Sequence, residues 1–224
     1  MSIAGVDAVL LAQFGPLEDA LAAMGVLVWP MVEREADDAL ASAAGVCADD
    51  PDVERVVICT PDKDLAQCVA GSRVVQWDRR QDLVYDADAV HAKFGVTPES
   101  IPDWLGLVGD SADGFPGLAG WGKKSAATVL DRYGHLEAVP PDAGDWDVQV
   151  RGSSKLAATL ADQRELAMLF RDLATLRREP PVISDVEELR WREPRDTFAG
   201  LAERLGATAV LERVGQLADR RRAQ

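Results

Sequence analysis

The sequence predicts an α/β layer with a parallel sheet, followed by a mostly helical region. Two observations carry that expectation. Strand-like and helix-like stretches alternate up to about residue 85, the pattern of an α/β layer. From about residue 86 nearly every stretch has helical periodicity and ends on glycine or proline. With 47% hydrophobic residues in 224, the chain has enough apolar surface for a real core, in one large domain or two small ones.

The elements follow in order. VDAVLLAQF (6–14) and LEDALAAMG (17–25) read as helical pieces, Pro16 starting the second and Gly25 ending it. VLVWPMV (26–32) reads as a β-rich run in which Pro30 is awkward for a ladder. EADDALASAAGVCA (35–48) predicts an amphipathic helix with acids in its first turn. RVVIC (55–59) and SRVVQW (72–77) predict strands, with a short helix in DKDLAQCV between them. Beyond, DADAVHAKFG, PESIPDWLGLVG, KKSAATVLDRYG, LAATLADQRELAMLFRDLATL, DTFAGLAERLG and ATAVLERVGQLADRRR all predict helix. Residues 139–154 read as the least regular loop, and the terminal RRR as the solvated basic end of a helix.

Composition excludes several classes. No run of about 18 apolar residues exists to span a membrane. MSIAGVDAVLLAQFG lacks a basic n-region and a small-residue cleavage site, so no signal peptide is read. The three cysteines, Cys47, Cys59 and Cys68, have no metal-like pairing and fit a reducing cytoplasm. The two histidines, His91 and His135, lie far apart, which argues against zinc. A net charge of −14 disfavours nucleic acid, unless carboxylates cluster around divalent cations that invert the local sign.

Three acidic groups meet that condition on position. Glu35, Asp37 and Asp38 open a helix; Asp62 and Asp64 follow the strand RVVIC; Asp110 and Asp113 flank a turn after LVG. Each has a plainer explanation: compensation of a helix dipole, a helix cap or a turn cap. Ligands of open α/β sheets, however, gather at the carboxyl ends of strands. Carboxylates crowded there repel one another unless cations share them, and an all-oxygen set suits Mg²⁺ or Mn²⁺. Two such ions about 3.5–4 Å apart are the usual arrangement for phosphodiester hydrolysis. A few residues later, GLAGWGKKSA reads as a tight turn into a helix. Gly117, Gly120 and Gly122 permit positive φ and close approach, the helix start offers N–H groups to a phosphate, and Lys123 and Lys124 add charge. A plain loop is the alternative. Contact through the backbone alone would grip DNA without reading its sequence.

EADDALASAA, VVICTPDKDLAQCV and LVGDSADGFPGLAGWGKKSAATVLDRYGHLEAV, in that order and spacing, resemble the 5′–3′ exonuclease domain of bacterial DNA polymerase I, within the flap endonuclease superfamily. The resemblance runs from near residue 6 to the C-terminal helices. It implies a PIN-like parallel sheet core over 1–85. Over 86–224 it implies a helical helix–three-turn–helix region with a helix–hairpin–helix DNA-binding element. Glu35, Asp37, Asp38, Asp62, Asp64, Asp110 and Asp113 correspond to metal-binding carboxylates, with Asp62, Asp64, Asp110 and Asp113 at the catalytic centre. The turn of Gly117, Gly120, Gly122, Lys123 and Lys124 corresponds to the duplex-gripping element, where the family commonly uses K⁺, and Lys63 is placed near the phosphates. The implied activity is two-metal, Mg²⁺- or Mn²⁺-dependent cleavage of DNA flaps, nicks and 5′ ends by a cytoplasmic monomer. The family also carries a first strand with an early aspartate, a further metal-binding aspartate and a helical arch ahead of the point where this sequence begins. The resemblance therefore implies an N-terminally truncated core. Gly114 stands where the family usually has asparagine, Trp121 where it has a small aliphatic, and His135 where serine often caps a helix. Two other readings stay open: a truncated, non-catalytic DNA-structure-binding module, and an RNA-processing nuclease of the PIN-like group.

Overall fold

The computed structural model describes residues 7–223. In chain order the elements are α1 (Ala8–Leu11), α2 (Phe14–Ala23), α3 (Ala36–Asp49), β1 (Val56–Ile58), β2 (Val74–Asp78), β3 (Leu83–Tyr85), α4 (Ala87–Phe94), α5 (Ile101–Val108), α6 (Lys123–Tyr133), α7 (Ser153–Asp162), α8 (Arg164–Ala174), α9 (Phe198–Arg204) and α10 (Thr208–Arg222). Short 3₁₀ turns link several of them. Val6, at the head of the first expected helical stretch, lies outside the described residues. The chain divides into two compact units, one made of Met1–Ala39 with Val182–Gln224 and the other of Leu40–Pro181.

In the first unit, α2 carries Pro16 in its opening turn, where no backbone donor is missed, and stops at Gly25. Gly25 has φ +87, and a Cβ there would stand 2.3 Å from the Glu193 carbonyl oxygen, so glycine is required on both counts. The helix end is tied to the segment beside it: Arg195 N–H donates to Ala23 O at 2.8 Å, and Trp191 Nε1 to Met24 O at 2.8 Å. Ala23, Phe198, Ala202 and Val214 form a small core under Trp191 and Leu211. Residues 26–32, expected as a strand, are irregular instead. Pro30 has no N–H to give a ladder, Val32 is 89% exposed, and among the described residues no strand pairs with this stretch.

The second unit holds the sheet, in the order β1-β2-β3. β1 and β2 run parallel with Val56 opposite Val74 and Ile58 opposite Gln76, as expected for strands joined by an intervening helical turn. β3 runs antiparallel to β2, so the sheet is mixed. The cause is local. The strands are joined by Arg79–Asp82, too short for a crossover but suited to a hairpin. Asp78 organises that turn by accepting from Arg80 N–H at 2.9 Å and Gln81 N–H at 3.2 Å. Ala41, Ala44, Ile58, Leu65 and Val74 pack between α3 and the sheet.

Helices α4 to α8 enclose the larger core, built on Val90, Ile101, Leu105, Leu107, Leu130, Leu136, Leu156 and Phe170. α5 is apolar almost all round and buried from Ile101 to Leu107, the signature of a central helix. It lies close against α8 because residue 106 is glycine: a Cβ there would meet Arg171 N at 3.0 Å and Ala167 O at 3.1 Å. The one carboxylate buried in α5, Asp103, is answered by Leu136 N–H at 3.1 Å, His135 Nδ1 at 2.9 Å and the Arg171 guanidinium at 3.4 Å. His135 thus takes up a buried acid where serine was the expected cap. α5 is thereby fixed in place, and its C-terminal end delivers the second acidic turn.

Candidate metal centre and its neighbouring lysine turn

Two turns build the acidic site. The first leaves β1 at Ile58. Thr60 Oγ1 accepts from Asp62 N–H at 3.1 Å, and Asp62 Oδ1 accepts from Asp64 N–H at 3.2 Å, so hydroxyl and carboxylate stand in for the backbone ladder that has just ended. Asp64 then opens a 3₁₀ turn, Asp64–Cys68, that buries Leu65 and Ala66 and draws Asp64 inward with them, leaving it 8% exposed.

The second turn leaves α5 at Gly109. Asp110 and Phe115 exchange backbone hydrogen bonds of 2.8 and 3.0 Å, closing a tight loop with Gly114 at φ +80. The left-handed conformation explains the residue type: glycine adopts it without strain, and asparagine is the other common choice. Behind the loop, Gly109 (φ +86) and Gly117 (φ +69) press backbone to backbone. A Cβ on Gly117 would lie 2.4 Å from Gly109 N. The bareness of Gly117 therefore serves the approach of its own chain.

The turns meet. Asp64, Asp110 and Asp113 each offer a carboxylate oxygen, all within 4.8 Å of one another, Asp64 and Asp110 buried and Asp113 exposed. Asp62 is exposed beside them and adds to the negative field on Asp64. Lys63 lies at the same cluster: its ammonium hydrogen-bonds Asp110 and stands 3.9 Å from Asp64 Oδ1. Sequence spacing alone does not say which way a lysine between two aspartates points. Glu35, Asp37 and Asp38 stand at the start of α3, in the other unit, where Asp38 Oδ2 accepts from Glu35 N–H at 3.3 Å.

The two buried acids of the cluster are shifted in opposite directions. Burial, together with Asp113 and Asp62 and against the opposing pull of Lys63, pushes the Asp64 carboxyl up to about 8. Burial also acts to raise Asp110, but the hydrogen bonds from Lys63 and from Ala112 N–H (2.9 Å) outweigh it and hold Asp110 below the usual carboxylate range. Asp64 Oδ1 is buried and has no hydrogen-bond partner among the described residues. The Lys63 ammonium stands 3.9 Å from it, an ion pair without a hydrogen bond, and a divalent cation would answer a buried carboxylate oxygen more fully. The donor set, carboxylate oxygens open to solvent on the Asp113 side, fits Mg²⁺ or Mn²⁺ in kind.

The lysine turn comes next. Gly120 has φ +87 and is exposed. Gly122 has φ −141, ordinary extended backbone, so positive φ is not what residue 122 supplies. Ser125 Oγ accepts from Gly122 N–H at 3.0 Å and fixes the entry into α6. Lys123 and Lys124 occupy its first turn, both exposed. Two cations at the positive end of a helix dipole are unfavourable for the helix alone and favourable only toward an anion. Trp121, just before this turn, is buried against Trp146, ring centroids 6.1 Å apart.

Comparison with known proteins adds lineage. Residues 4–95 match the family model for the 5′-3′ exonuclease N-terminal resolvase-like domain, and residues 96–197 that for the 5′-3′ exonuclease C-terminal SAM fold. The chain is 31% identical over 206 residues to DNA polymerase I of Bacillus caldotenax, covering 90% of this chain and 23% of that one. It is 31% identical over 174 residues to flap endonuclease Xni of Serratia proteamaculans, covering 78% and 66%. The chain thus spans about a quarter of the length of that polymerase. Two solved structures share the fold. Zinc-bound T5 5′-exonuclease gives a TM-score of 0.60 at 17% identity, covering 76% of this chain and 63% of that one. The catalytic core of Rad2 in complex with DNA substrate gives 0.55 at 18%, covering 89% and 65%. Both the PIN-like sheet region and the helical second half belong to this fold class. No helix among the described residues is long and apolar enough to cross a membrane.

Proposed function

The chain belongs to the 5′-3′ exonuclease family, and from that premise we propose that it is a divalent-metal-dependent 5′-3′ exonuclease and flap endonuclease acting on DNA flaps, nicks and 5′ ends. The observation that carries this reading is the convergence of Asp64, Asp110 and Asp113 around a buried carboxylate oxygen that accepts no hydrogen bond among the described residues. Asp62, Asp64, Asp110 and Asp113 are assigned to one ion and Glu35, Asp37 and Asp38 to a second. When bound, Mg²⁺ or Mn²⁺ would supply an activated water and neutralise charge developing on the phosphate. The chain's own groups do the rest. Lys63 offsets part of the negative charge of Asp64 and Asp110, so that a phosphodiester can approach an acidic surface. Gly117, Gly120 and Gly122 shape the turn, and the start of α6 with Lys123 and Lys124 holds the duplex backbone, with K⁺ assigned to the same turn. The protein acts as a cytoplasmic monomer on this reading.

The test is cleavage of a labelled 5′-flap DNA in Mg²⁺ or Mn²⁺ with an EDTA control and an RNA-flap control. Metal-dependent cleavage that prefers the DNA flap and disappears in Asp110→Ala is the expected result. Preferred cleavage of the RNA flap would move the chain to the RNA-processing class. One observation favours a second reading, a non-catalytic DNA-structure-binding module: the Lys63 ammonium already neutralises part of the cluster. Tight flap binding with no cleavage in either metal would select it.

A further inference from the structure

We propose that Gln76 is a positioning residue for the metal-holding turn, its side-chain amide fixing the backbone from which Asp62 and Asp64 project. The inference rests on the proposed metal-dependent nuclease activity and adds a residue to its machinery.

Gln76 lies in the middle of β2 and is 2% exposed. Core positions of a sheet next to Val74 and Val75 ordinarily take apolar side chains, because a buried amide is costly unless its hydrogen bonds are made. Here they are made, and the turn receives them: Gln76 Nε2 donates to Thr60 O at 3.0 Å and also to Asp62 O. Two carbonyl acceptors on one side-chain atom identify that atom as the NH₂ group. The register explains why a side chain is needed. Ile58, the last residue of β1, sits opposite Gln76, so the parallel ladder ends at this rung. Past it the chain turns away through Pro61 toward Asp64, and the carbonyls of Thr60 and Asp62 must find donors elsewhere. The Gln76 amide extends the ladder by one step. The far end of the same turn is held in the same way: Gln67 Nε2 donates to Asp64 O and Ala174 O, each at 2.9 Å, while its Oε1 accepts from Leu176 N–H at 3.0 Å. The turn is thus gripped at both ends by glutamine amides, and its acids are aimed before any ion arrives.

A metal site loosened by the loss of a supporting hydrogen bond loses affinity by about 10–100-fold. The experiment compares the full chain with Gln76→Met, which keeps length and volume and removes both donors, and Gln76→Asn, which keeps the amide on a shorter stem. Mn²⁺ binding is read by titration calorimetry, alongside thermal unfolding, flap-DNA affinity in EDTA, and the Mg²⁺ dependence of cleavage. Expected is a loss of Mn²⁺ affinity of about ten-fold or more in Gln76→Met and a smaller loss in Gln76→Asn. The concentration of Mg²⁺ needed for half-maximal cleavage should rise in parallel, with flap affinity within about two-fold of the parent. Folded Gln76→Met with unchanged Mn²⁺ affinity overturns the proposal while leaving the nuclease reading intact. If Gln76→Met fails to fold, unchanged affinity in Gln76→Asn overturns it equally. Absence of Mn²⁺ binding and cleavage in the parent protein would instead bring down the nuclease reading, and this inference with it.

Discussion

The acidic turns and the lysine turn, the second acidic one just ahead of the lysines in the chain, are built on opposite principles. Asp64 and Asp110 are buried and tied down by a lysine, a hydroxyl-held turn and backbone N–H groups. Lys123 and Lys124 are exposed on the first turn of α6. Charge that must hold a small ion at fixed distances is worth pre-organising, because error in position is lost affinity. Charge that must follow a flexible phosphate backbone works from solvent, where side chains adapt. The glycines divide likewise. Gly117 is locked against Gly109, whereas Gly122 has open space around it.

This contrast is open to attack in order of effect. Asp110→Ala removes a buried carboxylate and leaves Lys63 without its strongest partner. Flap cleavage should fall by about a hundred-fold or more, with duplex affinity changing less than about three-fold. Equal losses in both assays would mean the acids serve binding, and the contrast would fail. Gly117→Ala places a Cβ into backbone at positive φ and should destabilise the fold by about 2–4 kcal/mol in urea titration. Lys123→Ala with Lys124→Ala should weaken duplex binding and reduce the slope of log affinity against log salt by up to about 2, with stability unchanged or slightly raised as the helix dipole is relieved. An unchanged slope would remove phosphate contact from that turn. Gly122→Ala, at an ordinary φ in open space, should alter stability by less than about 0.5 kcal/mol. A large effect there would show that residue 122 is as constrained as residue 117.

Much of this arrangement is legible before folding. The alternation of short apolar runs with turns locates β1 and β2, because a buried strand needs several consecutive apolar residues whatever surrounds it. The glycine stops at Gly95, Gly109 and Gly134 mark the ends of α4, α5 and α6 for an equally local reason, whereas the break at Gln163 that divides one expected helical stretch into α7 and α8 carries no such mark. The acids are legible only as candidates, since aspartate at a strand or helix end is equally at home as a cap or a turn residue. Residues 26–32 show the limit: β-branched composition predicts a strand, but a strand exists only with a partner, and none pairs with it among the described residues. β3 shows the reverse. Leu83–Tyr85 is too short to announce itself and becomes a strand because the Asp78-organised turn returns it to β2.

By itself, then, the sequence determined most of the helices and the strands β1 and β2, the identity of the acids and lysines, and the kinship carried by their order. These depend on local periodicity and on residue chemistry, which do not change with folding. Only the tertiary structure decided that Asp64, Asp110 and Asp113 share one space, that Lys63 turns in toward them, and that Gln76 reaches out of the sheet to hold their turn. Those are relations between residues tens of positions apart, set by how α5 and the sheet pack, and no local signal encodes a distance across the core.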